Sequence, residues 1–200
     1  MVSPSQAFAR RSYECRTPRL LIRTPTSVDE EVYNTLSTDQ KHYPYEKAET
    51  ELARETITEF IKNMPNYSSA GAAAFFVIEL RETEFLKKPE ASSEPMLQTD
   101  IGITIDHKHW RKGYGVEAFC GLVEFAHREL GCKLFRVETG LTNEPWVGLM
   151  QKVGLSTFKK SDCSVVEDGK EVWDWRFDVE DWAKARRAMV ETGKWPLPSA

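Results

Sequence analysis

The segment Trp110–Gly115 constrains this chain more than any other, because its residues WRKGYG join a strand-like run to a helix-like run. Its two glycines let the backbone pass close to a ligand and adopt positive φ values. The first N–H groups of a helix have no partner inside the helix and point at whatever lies in the preceding turn. Two cationic side chains precede the first glycine. The pattern predicts an anion site, and a phosphate-bearing ligand fits it best.

Length and composition predict one domain with a substantial core, since the chain has 200 residues of which 40% are hydrophobic. We expect an irregular N-terminal segment at residues 1–16 and a single domain at residues 17–200. The net charge of −4 disfavours a nucleic-acid partner, which needs a basic face, and favours an amine partner. No apolar run reaches membrane-spanning length and no secretory signal is evident, so we expect a cytoplasmic protein without a membrane partner.

The four cysteines lie far apart, and neither they nor the four histidines show zinc-ligand spacing. The sequence therefore predicts reduced thiols and no metal site.

Apolar periodicity and chain breakers predict alternating strands and helices. The predicted strands are 19–23, 75–80, 97–106, 134–139, 158–166 and 172–179. The predicted helices are one that follows a Ser27–Glu30 capping box, then 49–63, 116–130, a short helix that ends near 153, and 181–192. Gly131 and Gly154 are expected to end the helices before them, and Asp168–Gly169 predicts a hairpin turn. The charged, proline-containing residues 81–96 predict a loop or an insertion.

Two familiar phosphate motifs do not explain the glycine turn. A P-loop needs a lysine and a serine or threonine after its last glycine, whereas Val116 follows Gly115 here. A dinucleotide-binding fingerprint needs three spaced glycines near the first strand, but this turn has two and lies past the middle of the chain. The surrounding sequence must therefore identify the turn.

A second motif, NEPWVGLMQKVGL at residues 143–155, follows the turn and the next strand. With both motifs in this order, the chain resembles the GCN5-related N-acetyltransferase (GNAT) superfamily from about Pro18 to Trp182. It is most similar to the branch that acetylates ribosomal-protein N-termini and related amines. Gly113 and Gly115 match the family's glycine positions, and Trp110 stands at the first motif position, as it does in that branch. The resemblance implies an α/β fold with a mixed, mostly antiparallel central sheet, splayed at two parallel strands, and helices on both faces.

The resemblance also implies acetyl-CoA as the co-substrate. The N–H groups that would cradle its pyrophosphate belong to Arg111, Lys112, Gly113, Tyr114, Gly115 and Val116. The main chain of Ile103, Thr104 and Ile105 would pair with the pantetheine arm like an added strand. For Arg111 and Lys112, phosphate contact is favoured over a plain surface position, while Tyr114 has packing as its alternative.

Asn143 falls on the asparagine of the family's second motif. The resemblance implies that it bonds the pantetheine arm or orients the helix that follows. Asparagine is also a good helix N-cap with or without a ligand. The two roles are compatible, and the sequence leaves both open.

The resemblance assigns the catalytic base to Glu138, because related ribosomal-protein alanine acetyltransferases carry a glutamate there. An ammonium substrate must lose a proton before its nitrogen can attack a thioester. Strand alternation places Arg136 and Glu138 on one face, so a structural ion pair across the sheet is the alternative. His107 and His109 are competing bases.

Two positions depart from the family pattern. Trp146 stands where the branch often has a serine, and Met150 stands where other members have a tyrosine that acts as the acid. Neither side chain can protonate a thiolate, so water, Tyr43 or Tyr45 takes that role, or the thiolate leaves unassisted. Trp146 is also a candidate for narrowing the acceptor channel.

The sequence therefore predicts an acetyl-CoA-dependent N-acetyltransferase, a monomer or homodimer. The expected acceptor is the primary amine of a small molecule or of a peptide N-terminus, acetylated by direct transfer. The alternative is a non-catalytic acyl-CoA-binding module of the same fold, motivated by Trp146 and Met150.

Overall fold

The computed structural model describes residues 9–44, 54–71, 73–81, 97–164 and 169–198. The strands are β1 Glu14–Arg16, β2 Leu20–Arg23, β3 Val77–Leu80, β4 Leu97–Asp100, β5 Cys132–Gly140, β6 Lys159–Cys163 and β7 Glu171–Asp178. The helices are α1 Glu30–Thr38, α2 Arg54–Ser69, α3 Tyr114–Glu129, α4 Glu144–Lys152 and α5 Val179–Glu191. The predicted loop at 81–96 lies outside the described residues except for Arg81.

The strands form two sheets. One has the order β1-β2-β3 and is antiparallel throughout. The other has the order β4-β5-β7-β6, in which β4 and β5 run parallel and the remaining pairs are antiparallel. The predicted fold class, a mixed and mostly antiparallel α/β arrangement with one parallel pair, is confirmed.

The main core lies between the second sheet and helices α3 and α5. Strand β5 points Phe135 and Val137 into it, and both side chains are fully buried. Phe135 stacks on Phe177 of β7 with ring centroids 5.2 Å apart, while Phe119 of α3 meets Trp182 of α5 edge to face. Because side chains alternate along a strand, the intervening residues of β5 face away from this core.

The N-terminal part is ordered earlier than predicted. β1 begins at Glu14, and Tyr13 before it is only 3% exposed, so the last three residues of the predicted irregular segment form a strand. The sequence did not indicate this strand because the segment is polar and only three of its residues pair with β2. The division into one domain from residue 17 stays a prediction.

The predicted start of the first helix is correct to within one turn, but its cap is not. Ser27 lies inside a short 3-10 helix whose N-cap is Thr26, with the Thr26 N–H donating to Asp29 Oδ2 at 2.7 Å, and Asp29 is the N-cap of α1. Threonine and aspartate satisfy the same capping chemistry as serine and glutamate one position later. Two capping patterns therefore overlap in the sequence, and the structure uses the Thr26–Asp29 pair.

The second helix, α2, extends beyond its predicted end at residue 63 and contains Pro65. Its face toward the interior buries Ile57, Ile61 and Met64, as predicted, whereas Phe60 is 41% exposed. Burial of that face compensates for the backbone hydrogen bond that a proline cannot make. The predicted residues before Arg54 lie outside the described range. Within the described residues, no helix is both long and apolar enough to cross a membrane.

The β6–β7 hairpin and the glycine caps are confirmed. Lys159 pairs with Trp175 and Cys163 with Glu171, while Gly169 has a φ of 73° in the connecting turn. Asp168 itself lies outside the described residues. Gly131 and Gly154 end their helices with φ values of 70° and 80°, as the sequence predicted.

Gly121 and Gly148 offer a matched test of packing in two helices. A Cβ on Gly121 of α3 would lie 2.7 Å from Thr17 Cγ2, whereas a Cβ on Gly148 of α4 would meet nothing within 4 Å. We expect Gly121→Ala to lower the free energy of unfolding by roughly 1–3 kcal/mol, because overpacking exceeds the gain in helix propensity. Gly148→Ala should raise it by roughly 0.5–1 kcal/mol.

Urea unfolding of both variants measures the two changes in the free energy of unfolding, which we expect to have opposite signs. Thr17 cannot move aside freely, because it is buried and its hydroxyl donates to a carboxylate of α3. A Gly121→Ala variant as stable as the parent protein would show that the contact is loose.

Candidate active site

The second sheet opens between β4 and β5. Their last backbone hydrogen bond in the described part of the chain runs from the Ile101 N–H to the Arg136 carbonyl at 3.0 Å. β4 ends at Asp100, whereas β5 continues to Gly140 in register with β7. The predicted strand at 97–106 is therefore too long, because residues 101–106 leave their partner. Pairing between the two segments stops at Ile101, and we call the gap beyond this point the opening between β4 and β5.

The predicted pantetheine-binding residues Ile103, Thr104 and Ile105 lie on this departing segment. Ile103 and Ile105 are half-buried and Thr104 is exposed. The indole N–H of Trp110 donates to the Ile105 carbonyl at 2.6 Å, which ties the glycine turn back to the segment. The structure thus brings the two predicted parts of the donor site together, although no contact tests their ligand roles.

The glycine turn enters α3 through two residues with positive φ. Gly113 is the N-cap residue with a φ of 83°, as a glycine in such a turn predicts. Arg111 has a φ of 63°, which the sequence did not indicate, since only glycine adopts this conformation at little cost. Gly115 is helical, and a Cβ there would meet Leu149 and Ile105 side chains at 3.4 and 3.6 Å. Close packing against these two side chains explains why a glycine stands at position 115.

The start of α3 has the geometry of an anion site. The N–H of Glu117 is the first to bond inside the helix, to the Gly113 carbonyl at 3.1 Å. The N–H groups of Tyr114, Gly115 and Val116 precede that bond and belong to the positive end of the helix dipole. Arg111 and Lys112 are exposed immediately before them. This arrangement favours a negatively charged group in front of the turn.

A buried carboxylate fixes the turn to the first sheet. Glu117 is 1% exposed and accepts from Thr17 Oγ1 at 2.6 Å and from the Arg19 backbone N–H at 2.8 Å. Arg19 Nε donates to it at 2.5 Å, and Arg19 Nη1 donates to the Lys112 carbonyl at 3.0 Å. The guanidinium also lies over the Tyr114 ring. Sequence reasoning missed this clamp because its partners are about a hundred positions apart along the chain.

Asn143 is the N-cap of α4, so one of its two predicted roles is confirmed. Its Oδ1 accepts from the Trp146 N–H at 3.3 Å, and its Nδ2 donates to Thr139 Oγ1 at 2.8 Å. The threonine fixes which way the amide points. Contact with a pantetheine arm stays a prediction.

Glu138 lies on the face of β5 opposite the main core. Arg136 Nη2 donates to its Oε2 at 2.7 Å, and the Ser164 hydroxyl donates to Oε1. The Glu138 side chain is 16% exposed, so its carboxylate is held in position yet reaches solvent. The ion pair predicted as the alternative is present, although the arginine comes from the same strand. A catalytic role stays a prediction.

Arg136 links Glu138 to a carboxylate that is buried, that of Asp174. Its Nε donates to both oxygens of Asp174 on β7, and both side chains are 3% exposed. Burial alone lowers the pKa of Arg136, but the hydrogen bonds to Asp174 and Glu138 outweigh it and raise that pKa. Arg176 adds a second cation to Asp174 at 2.7 Å. Both Glu138 and Asp174 therefore have a cation beside them.

The two positions that depart from the family pattern belong to the core side of α4. Met150 is fully buried, and Trp146 is half-buried with its ring edge-on to Phe119 at 6.2 Å. Neither residue offers a proton to the opening. Tyr43 is half-buried, and Tyr45 lies outside the described residues.

Of the competing bases, His107 is part of a polar cluster just before the glycine turn. Its Nδ1 lies 3.2 Å from His42 Nε2 and 3.4 Å from Asp106 Oδ1. The Lys108 N–H donates to Asp106 and lowers the pKa of its carboxyl. His109 instead packs edge-on against Tyr114. His42 was not singled out in the sequence, because it is 65 positions from His107.

Comparison with known proteins gives one family. A family model described as an acetyltransferase (GNAT) domain matches residues 19–156. No curated protein sequence gives a significant match. Among solved structures, Mycobacterium smegmatis RimJ in complex with CoA-disulfide has a TM-score of 0.68 at 14% identity and covers 94% of this chain and 97% of its own.

Two further structures have the same fold. FdhC, a nucleotide-linked sugar GNAT, has a TM-score of 0.67 at 17% identity and covers 92% of this chain and 98% of its own. RimL, a ribosomal L7/L12 alpha-N-protein acetyltransferase, has a TM-score of 0.61 at 12% identity and covers 84% and 95%. At these identities the similarity concerns the fold. RimJ and RimL are consistent with the branch named from the motifs.

Proposed function

Because this chain belongs to the acetyltransferase (GNAT) family, we propose that it transfers an acetyl group from acetyl-CoA to a primary amine. The observation that carries the proposal is the pairing of the opening between β4 and β5 with the anion-binding turn at the start of α3. A ligand with an extended arm and a pyrophosphate would use both at once. The resemblance noted in the sequence is thus confirmed at the level of family and fold.

Donor binding would rest mainly on backbone groups. The N–H groups of residues 111–116 would receive the pyrophosphate, and residues 103–105 would lie along the pantetheine arm. Arg111 and Lys112 would add charge beside the phosphates. Asn143 would contribute through its cap of α4. Acetyl-CoA supplies the acyl group as an activated thioester.

Glu138 would remove the ammonium proton of the acceptor, directly or through a water molecule. Arg136 and Ser164 hold its two oxygens, which preorganises the carboxylate at the polar face of β5. The transfer is direct, so no acyl-enzyme is required. Protonation of the departing thiolate has no assigned side chain, in keeping with Met150 in the core.

The acceptor is proposed as a small-molecule amine or a peptide N-terminus. The structural neighbours do not favour one, since RimL is described as acting on a ribosomal protein and FdhC as acting on a nucleotide-linked sugar. We further propose that the protein acts in the cytoplasm as a monomer or homodimer, without nucleic acid or membrane.

Release of the CoA thiol tests the proposal. Purified protein with acetyl-CoA should release thiol only when an accepted amine is present. The panel should contain ribosomal-protein N-terminal peptides, amino sugars linked to nucleotides, and simple polyamines. Mass spectrometry of each product should show one added acetyl group.

Calorimetric titration with acetyl-CoA separates this enzyme from a non-catalytic CoA-binding module. Tight acetyl-CoA binding with no acetylated amine in the panel would favour the module. If acetyl-CoA neither binds nor is turned over, the proposal that acetyl-CoA is the acyl donor is wrong.

A further inference from the structure

A cluster of two histidines and two aspartates lies where the end of α1 meets the segment before the glycine turn. His42 ends a short 3-10 helix after α1, and its side chain is fully buried. Asp106 and His107 come from the segment that follows β4. Asp39, His42 and His107 offer ligand atoms that all lie within 4.8 Å of one another. These groups have no part in the proposed transfer.

Three atoms of this cluster form a nearly equilateral triangle. His42 Nε2 lies 3.2 Å from His107 Nδ1, and Asp106 Oδ1 lies 3.4 Å from each of them. A tetrahedral ion with ligands at about 2.0–2.1 Å requires ligand atoms about 3.3–3.4 Å apart. The observed triangle therefore has the dimensions of one face of such a tetrahedron.

The composition of the cluster also suits such an ion. Imidazole nitrogens favour zinc and its neighbours, whereas magnesium and calcium prefer oxygen ligands alone. Two neutral imidazoles and two carboxylates balance the charge of a divalent cation.

We propose a site for one divalent transition-metal ion of the zinc class, in which His42, His107 and Asp106 supply three ligands and Asp39, which offers an oxygen within 4.8 Å of both histidines, supplies the fourth. Four protein ligands close the coordination shell, so the ion is structural. The ion would link the residues after α1 to the segment that precedes the glycine turn. The spacing rules used on the sequence could not find it, because its two histidines are 65 positions apart.

Metal binding by the full chain tests the site directly. Protein treated with a chelator and dialysed is titrated calorimetrically with zinc chloride and with magnesium chloride. We expect one zinc per chain, a rise in Tm with zinc that a chelator reverses, and no response to magnesium. Cobalt(II) should give the intense visible absorption of tetrahedral coordination.

The variants His107→Gln and Asp106→Asn should each weaken zinc binding by roughly 100-fold or more, with the far-UV spectrum unchanged. His127→Gln is the matched control, since that half-buried histidine lies near the C-terminal end of α3 and contacts the Cys132 carbonyl. Absence of stoichiometric zinc binding overturns the proposal. Equal zinc affinity in the parent and the two ligand variants, or an equal loss in His127→Gln, overturns it as well.

Discussion

Gly113→Glu is expected to abolish CoA release, with a loss of roughly 100-fold or more in kcat/KM. The new carboxylate would stand at the N-terminus of α3, where the N–H groups are arranged for an anion, and would repel a phosphate. The φ of 83° adds strain of about 1–2 kcal/mol for any residue with a Cβ. That Cβ would also lie 3.4 Å from Arg19 Nη2. Steady-state thiol release and acetyl-CoA titration measure the effect.

Gly131→Glu is the matched control for backbone strain. Gly131 has a φ of 70° at the other end of α3, and a Cβ there would meet nothing within 4 Å. The control should lose a similar amount of stability while keeping acetyl-CoA affinity. If Gly113→Glu retains more than about a tenth of the parent activity, the turn does not bind the pyrophosphate.

Glu138→Gln is expected to lower kcat by about 100-fold or more while acetyl-CoA affinity stays unchanged, because a general base typically contributes at least that much. The amide keeps the shape of the side chain: its oxygen can still accept from Arg136, while its NH2 group can donate to the Ser164 hydroxyl. It cannot take a proton from an ammonium. Single-turnover measurements with saturating acetyl-CoA isolate the chemical step.

Asp162→Asn provides the comparison on the same sheet. Asp162 is an exposed carboxylate of β6 that pairs with Arg176 at 3.0 Å. Its loss should change neither kcat nor stability by much, since exposed pairs contribute about 0–1 kcal/mol. A Glu138→Gln enzyme within threefold of the parent kcat would assign Glu138 to the Arg136 ion pair alone.

The fold was predictable where one local rule decided the outcome. Alternation in β5 and β7, the glycine caps and the hairpin around Gly169 follow from side-chain periodicity and turn chemistry. The errors arose where tertiary contacts decide. Residues 101–106 look like a strand, yet a strand ends when its partner diverges, and no pattern in the segment encodes that divergence.

The candidate site divides in the same way. The glycine turn and the helix cap at Asn143 could be predicted because glycine and asparagine have strong local preferences. The sequence did not predict the positive φ of Arg111, the hydrogen bonds of Glu117 to Arg19, or the His42–His107 contact. Each of these depends on a geometry or a partner that the motif itself does not specify.

The clamp between Glu117 and the strand pair β1–β2 also has a consequence for the order of folding. Thr17 is 100 positions from Glu117, so closing this contact carries the entropy of a long loop and comes late. During synthesis the N-terminal strands emerge from the ribosome well before α3 does. The glycine turn would therefore become competent to hold an anion only after the second half of the chain has returned to the first.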